Sequence, residues 1–143
     1  MEDKETQELT VLLQRVMKLQ FGVVHKCMEK YGFHRAQPGI ILELSRCEGL
    51  TQVELANKLG VTPATISAMI KRMERDESLY RKRSEEDQRV THIFLTTKGK
   101  EQSIRVREAI AYINEIAFEN FSKDELEQTK KIFNKMIDNL REF

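Results

Sequence analysis

Gly49-Leu-Thr-Gln-Val-Glu-Leu-Ala-Asn-Lys-Leu-Gly-Val-Thr-Pro-Ala-Thr-Ile-Ser67 is the stretch that decides the fold. Thr51-Gln-Val-Glu54 places a hydroxyl three residues before a carboxylate, the spacing of a capping box, and so starts a helix. Gly60 ends that helix where a left-handed residue is least strained. Thr62-Pro63 opens the next, a capping hydroxyl followed by proline at the first helical position, and the pattern runs to about Asp76. A short helix, a tight glycine turn and a second helix make a helix-turn-helix. Ala56 is small enough for the two helices to cross closely, Val61 tucks under the turn, and Ile66, Ile70 and Met73 bury one side of the second helix.

Towards the C-terminus the period changes. Leu79-Tyr-Arg-Lys-Arg83 and Val90-Thr-His-Ile-Phe-Leu95 are β-prone runs around the polar stretch Ser84-Glu-Glu-Asp-Gln-Arg89, which reads as a two-stranded hairpin with a longer loop. Thr96 then caps a long helix expected to reach about Phe121, and Ser122-Lys-Asp-Glu125 is a second capping box before a last helix. That last helix gathers Leu126, Phe133, Met136, Ile137 and Leu140 on one side. Towards the N-terminus, Leu9, Leu13, Val16, Leu19, Val23 and Cys27 recur at steps of three or four, giving one long helix over residues 5–30. Pro38 suits the first turn of a helix to about Arg46 that buries Ile41, Leu44 and Cys47. The expected fold is mainly α with a small β-wing, with no repeat, linker or low-complexity tract.

The solvent side of the second helix of the motif carries Ala64, Ala68, Lys71 and Arg75, flanked by Thr62, Thr65, Ser67 and Arg72. Small and hydroxyl residues near its N-terminus let a helix enter a major groove and offer hydrogen bonds and methyl groups to base edges. Cations farther along reach phosphates or guanines. The plain alternative is an ordinary solvated face. The hairpin that follows favours the nucleic-acid reading, because a basic ribbon beside a helix-turn-helix reaches an adjacent minor groove, a narrow electronegative site suited to arginine. Arg89 is the expected tip arginine, with Asp87 as the carboxylate that fixes it; a surface ion pair of at most about 1 kcal/mol is the plainer reading of the two.

Totals agree with this. The 143 residues suit one domain with a real core, and 33% charged residues with 2 prolines favour a helix-rich globular chain. Net charge is only +1, yet residues 62–100 hold nine Lys/Arg against six Asp/Glu. No apolar run approaches the roughly 20 residues needed to span a bilayer, and Met1-Glu-Asp-Lys-Glu-Thr is too polar for a signal peptide, so a cytoplasmic location without membrane association is expected. Cys27 and Cys47 fit neither a zinc knuckle nor a disulfide framework.

These motifs together resemble the MarR family. Gly49 to Ser67 is similar to that family's helix-turn-helix, and Asp87-Gln-Arg89 with Leu95-Thr-Thr-Lys-Gly99 is similar to its wing and the start of its long fifth helix. Helix order agrees over the whole chain, with the specific likeness between about Gln37 and Gly99. The resemblance implies recognition-helix contacts at Thr62, Ala64, Thr65, Ser67, Lys71 and Arg72 and a minor-groove arginine at Arg89. Two departures stand out: Asp76-Glu-Ser78 where the family usually has glycine, and a wing loop without proline.

Residues 37–99 are thus expected to form the DNA-binding core of a single domain, with residues 1–30 and 100–143 as dimerisation helices. Val106, Ala109, Ile110, Ile113, Ile116 and Ala117 add a stripe that serves either an internal core or a two-fold homodimer, with two recognition helices about 34 Å apart on double-stranded DNA. A small-molecule effector is expected near Phe21, His25, Met28 and Leu42, although Met and Phe at helical spacing are also plain core. His25, Cys27 and His34 make a poor metal site because residues 25 and 27 do not share a helix face, and neither cysteine has the surroundings expected of an oxidant sensor. No nucleophile–base pair, metal cluster or phosphate-cradling loop is visible and Gly60 and Gly99 stand isolated, so neither an enzyme nor a cofactor is implied. The competing class is a winged-helix module that docks proteins instead of DNA.

Overall fold

The computed structural model describes residues 3–34 and 36–142. Six helices and three short strands follow in the order α1 (Lys4–Lys30), α2 (Gln37–Arg46), β1 (Leu50–Thr51), α3 (Gln52–Leu59), α4 (Pro63–Arg75), β2 (Leu79–Arg83), β3 (Thr91–Leu95), α5 (Thr97–Ala117) and α6 (Lys123–Arg141). The chain forms two compact units, Met1–Ala111 and Tyr112–Phe143.

In the first unit, the caps expected from sequence form. Thr51 and Glu54 make the reciprocal box at the start of α3, Gly60 closes α3 in the left-handed region (φ 62°), and Thr62 caps α4 by accepting from the Thr65 N–H. The apolar sides of α2, α3 and α4 meet in one core, where Ile40, Ile41, Leu44, Leu55, Ile66 and Ile70 are fully buried. Met28 of α1, Leu79, Ile93 and Leu95 of the strands and Val106 of α5 complete it.

The sheet has three strands, in the order β1-β3-β2, where the sequence suggested two. Both pairings are antiparallel: Leu79↔Leu95 through Arg83↔Thr91 on one side, and Leu50↔Ile93 and Thr51↔His92 on the other. Cys47, expected to be buried, is exposed, because α2 ends at Arg46 and Cys47 leaves the helix axis in an extended conformation. The buried positions of α2 are instead Gln37, Pro38, Ile40, Ile41 and Leu44.

The turn after α4 adopts a left-handed conformation without a glycine. Glu77 sits in the left-handed region (φ 57°), and the Ser78 N–H donates to the Met73 carbonyl. Such a conformation costs an ordinary residue about 1–2 kcal/mol, while glycine forfeits about 0.5–1 kcal/mol of chain entropy. Glu77→Gly is therefore expected to stabilise the protein by about 0.5–1 kcal/mol, seen as a higher urea midpoint at unchanged slope. An unchanged or lower midpoint would mean that the Glu77 side chain contributes more than its strained backbone costs.

In the second unit, α5 ends at Ala117 rather than near Phe121. Residues 118–121 form a turn in which Asn120 has positive φ (68°) and Phe118 and Phe121 meet edge to face, 5.6 Å between ring centres. Ser122 and Glu125 then close the expected capping box on α6.

Candidate nucleic-acid interface

The buried and exposed sides of α4 divide as the spacing requires. Ile66, Ile70 and Met73 lie in the core, whereas Thr62, Ala64, Thr65, Ala68, Lys71, Arg72 and Arg75 are exposed and Ser67 is half-buried. The Thr62 and Thr65 hydroxyls lie 2.8 Å apart, so the polar groups at the head of the helix are linked before any ligand arrives. Lys71 and Arg75 have no carboxylate partner among the described residues. Arg72 is engaged: its guanidinium meets Nε2 of His34, in the turn between α1 and α2. Glu74, the carboxylate nearest these cations in sequence, is turned to the wing, where it holds Arg81 Nε at 3.1 Å.

The wing loop is organised without proline. The Ser84 N–H donates to the Val90 carbonyl at 2.8 Å, and the Ser84 hydroxyl accepts from the N–H groups of Glu86 and Asp87 at 3.2 and 3.3 Å. At its end, Arg89 donates to both oxygens of Asp87: Nε to Oδ1 at 3.1 Å and a terminal nitrogen to Oδ2 at 3.2 Å, with the Arg89 N–H on Oδ1 at 3.0 Å. The Arg89 guanidinium, then its backbone N–H, hold the Asp87 carboxyl below the usual carboxylate range. The Arg89 side chain is nevertheless 91% exposed, so the fork aims it without covering it. Arg83, beside the loop, is exposed and has no carboxylate partner among the described residues; reading β2 only as a strand passed over this wing cation.

The four expected effector residues occupy three environments. Met28 is in the core and Leu42 packs against it. His25 pairs with Glu29 at 3.3 Å and borders a concavity with Gly32, Phe33 and His34, while Phe21 is 71% exposed. Phe21 and Met28 lie two turns apart on the same side of α1, but the helix meets the core only near its C-terminal end, which buries Met28 and leaves Phe21 in the open. A different cavity, about 290 Å³, lies behind α4, lined by His34, Ala36, Gln37, Thr65, Met69, Arg72 and Met73. Among the described residues, no three of His, Cys, Asp and Glu gather as a metal site, and no helix is long and apolar enough to cross a membrane.

A helix-turn-helix whose second helix offers a small, hydroxyl-rich, cationic face beside a basic ribbon defines a winged helix-turn-helix protein of the DNA-binding class. A model of the MarR family matches residues 35–91. The chain is 27% identical over 113 residues to the HTH-type transcriptional regulator MgrA of Staphylococcus aureus, covering 79% of this chain and 76% of MgrA. An HTH-type transcriptional regulator of Bacillus cereus is 33% identical over 73 residues, 51% of this chain and 48% of that protein. Among solved structures, a MarR-like transcription regulator from Bacillus cereus superposes with a TM-score of 0.83 at 25% identity, over 96% of this chain and 99% of that one. A MarR family protein from Bacillus stearothermophilus shares the fold at a TM-score of 0.87 and 24% identity, over 99% of each chain. The MarR match over the winged-helix core, with transcriptional regulators among the relatives and MarR proteins among the structural neighbours, supports a DNA-binding transcriptional regulator of the MarR type.

Proposed function

We propose that the protein is a cytoplasmic homodimer that represses transcription from a pseudo-palindromic operator and is modulated by a small-molecule effector. In each half-site α4 enters the major groove, with Thr62, Ala64, Thr65, Ser67 and Ala68 towards base edges and Lys71, Arg72 and Arg75 towards phosphates or guanines. Arg89, aimed by Asp87, enters the adjacent minor groove. The observation that carries this reading is the exposed face of α4, where Lys71 and Arg75 have no carboxylate partner among the described residues.

Uncovered apolar residues support the dimer. Leu9, Val16 and Leu19 of α1 are 66%, 57% and 60% exposed, and α6 buries none of its residues, with Leu140 71% exposed. Monomeric proteins rarely leave contiguous apolar stripes in water, and a second copy that covers residues 1–30 and 100–143 removes them. For the effector, the cavity behind α4 is better placed than the Phe21–Leu42 neighbourhood, since a ligand there touches Thr65 and Arg72 directly.

The test is titration of the purified protein against the DNA upstream of its own gene, at two salt concentrations, with a scrambled duplex as control. Preferential binding that weakens steeply with salt is expected. If random-sequence selection with the ligand-free protein also recovers no site, the protein-docking alternative replaces this reading. Within it, Lys71→Ala is expected to weaken binding to all sequences and flatten the salt slope by about one unit, whereas Thr65→Ala changes preference at one or two base pairs. If both variants bind the operator as the wild type does, the recognition face is assigned to the wrong residues.

A further inference from the structure

By sequence His34 is no more than a poor metal ligand, but the structure puts it to another use. It lies in the turn after α1, and its Nε2 meets the Arg72 guanidinium across a separation of 38 residues. The turn is itself held: the His34 N–H donates to Gln37 Oε1 at 3.1 Å, its carbonyl accepts from the Gln37 N–H at 2.9 Å, and Phe33 beside it is buried in the core. Arginine carries five N–H donors, no acceptor, and a permanent charge. The contact therefore requires Nε2 to present its lone pair, which places the imidazole proton on Nδ1. A neutral acceptor takes one donor and leaves the guanidinium's charge and its remaining N–H groups available. That distinguishes it from a carboxylate, which would neutralise Arg72; Glu74, two residues on, is occupied by Arg81 instead.

We propose that His34 is a positioning residue for DNA binding: it holds Arg72 in its reading conformation in the free protein, so that the ordering of that long side chain is not charged against operator binding. The inference rests on the DNA-binding reading of α4 given above. Ordering a rotamer-rich side chain at an interface costs about 0.5–1.5 kcal/mol, or roughly two- to twelvefold in affinity. Both residues are exposed, so substitution leaves the core untouched.

The experiment measures operator affinity at one salt concentration for the wild type, His34→Ala, His34→Gln, Arg72→Ala and the double variant His34→Ala/Arg72→Ala, with urea midpoints for all five. His34→Ala is expected to weaken binding about fivefold, and His34→Gln, whose amide oxygen accepts at the place of Nε2, to restore it to within about twofold. The double variant is expected to bind no more weakly than Arg72→Ala alone, the signature of two groups acting as one. Equal losses from His34→Ala with and without Arg72, or no loss at all, would overturn the proposal while leaving the DNA-binding reading intact. A wild-type protein that binds no duplex selectively would overturn the DNA-binding reading, and this inference with it.

Discussion

Gly99→Ala is expected to destabilise the protein by about 3 kcal/mol or more, against the sign that helix propensity gives. Gly99 lies in the first turn of α5, where exchange for alanine would ordinarily gain up to about 1 kcal/mol. Here a methyl group on residue 99 would stand 2.0 Å from the Ser78 carbonyl oxygen and 3.0 Å from Leu95 Cδ2. The carbonyl cannot yield cheaply. It accepts from the Thr96 N–H at 3.1 Å, the neighbouring Glu77 carbonyl accepts from the Thr96 hydroxyl at 2.6 Å, and the Asp76 carbonyl from the Lys98 ammonium. Moving the 76–78 turn aside combines an overpacking cost of about 1–3 kcal/mol with the loss of hydrogen bonds of about 1 kcal/mol each. That is a large part of the 5–15 kcal/mol typical of a whole domain. Urea denaturation followed by circular dichroism checks it; a midpoint equal to the wild type's would mean that the turn and α5 do not approach so closely.

Arg89→Ala is expected to act on binding and leave folding alone. With a side chain 91% exposed and a single, exposed carboxylate partner, Arg89 contributes at most about 1 kcal/mol to stability. In the proposed complex the same truncation removes a minor-groove cation and leaves Asp87, no longer neutralised, facing the phosphates. The two effects add, so operator affinity should fall about 10- to 100-fold, or 1–3 kcal/mol. The double variant Asp87→Ala/Arg89→Ala should recover part of that loss. Fluorescence anisotropy on the selected operator, repeated with G·C pairs under the wing, provides the check: wild type should lose affinity on that exchange and Arg89→Ala should not. Binding by Arg89→Ala within twofold of wild type would place the wing outside the minor groove.

Much of this was readable beforehand because it is local. Thr51 with Glu54, Gly60, Thr62 with Pro63, and Ser122 with Glu125 each act on backbone within a few residues, so their signals survive without tertiary information. Ile66, Ile70 and Met73 told the two sides of α4 apart for the same reason. Most of the misses are long-range, and the others are helix ends misplaced by a few residues. Strand β1 is two residues whose reason for being a strand is Ile93 and His92, some forty residues away. Cys47 continued the apolar spacing of α2 in sequence, but the helix stopped one residue earlier. Phe21 and Met28 share a side of α1, but only the assembled fold decides that the core reaches Met28 and stops short of Phe21. The His34–Arg72 contact and the approach of Gly99 to Ser78 have no sequence signature, because each joins residues whose meeting only the assembled fold decides.

Thr51 belongs to two elements at once: it caps the first helix of the motif and pairs with His92 in the wing sheet. At the other end, the Arg81–Glu74 pair ties the wing to the close of α4. Helix and ribbon are thereby stitched together at both ends and cannot splay apart without breaking strand pairing. In the proposed dimer each copy behaves as one rigid jaw of a gauge, with the distance between its two reading edges fixed at folding. What remains adjustable is the gap between the jaws and the side chains on their edges, so a signal that releases the operator acts on the separation of the two copies or on residues such as Thr65 and Arg72, not on the packing of helix against ribbon.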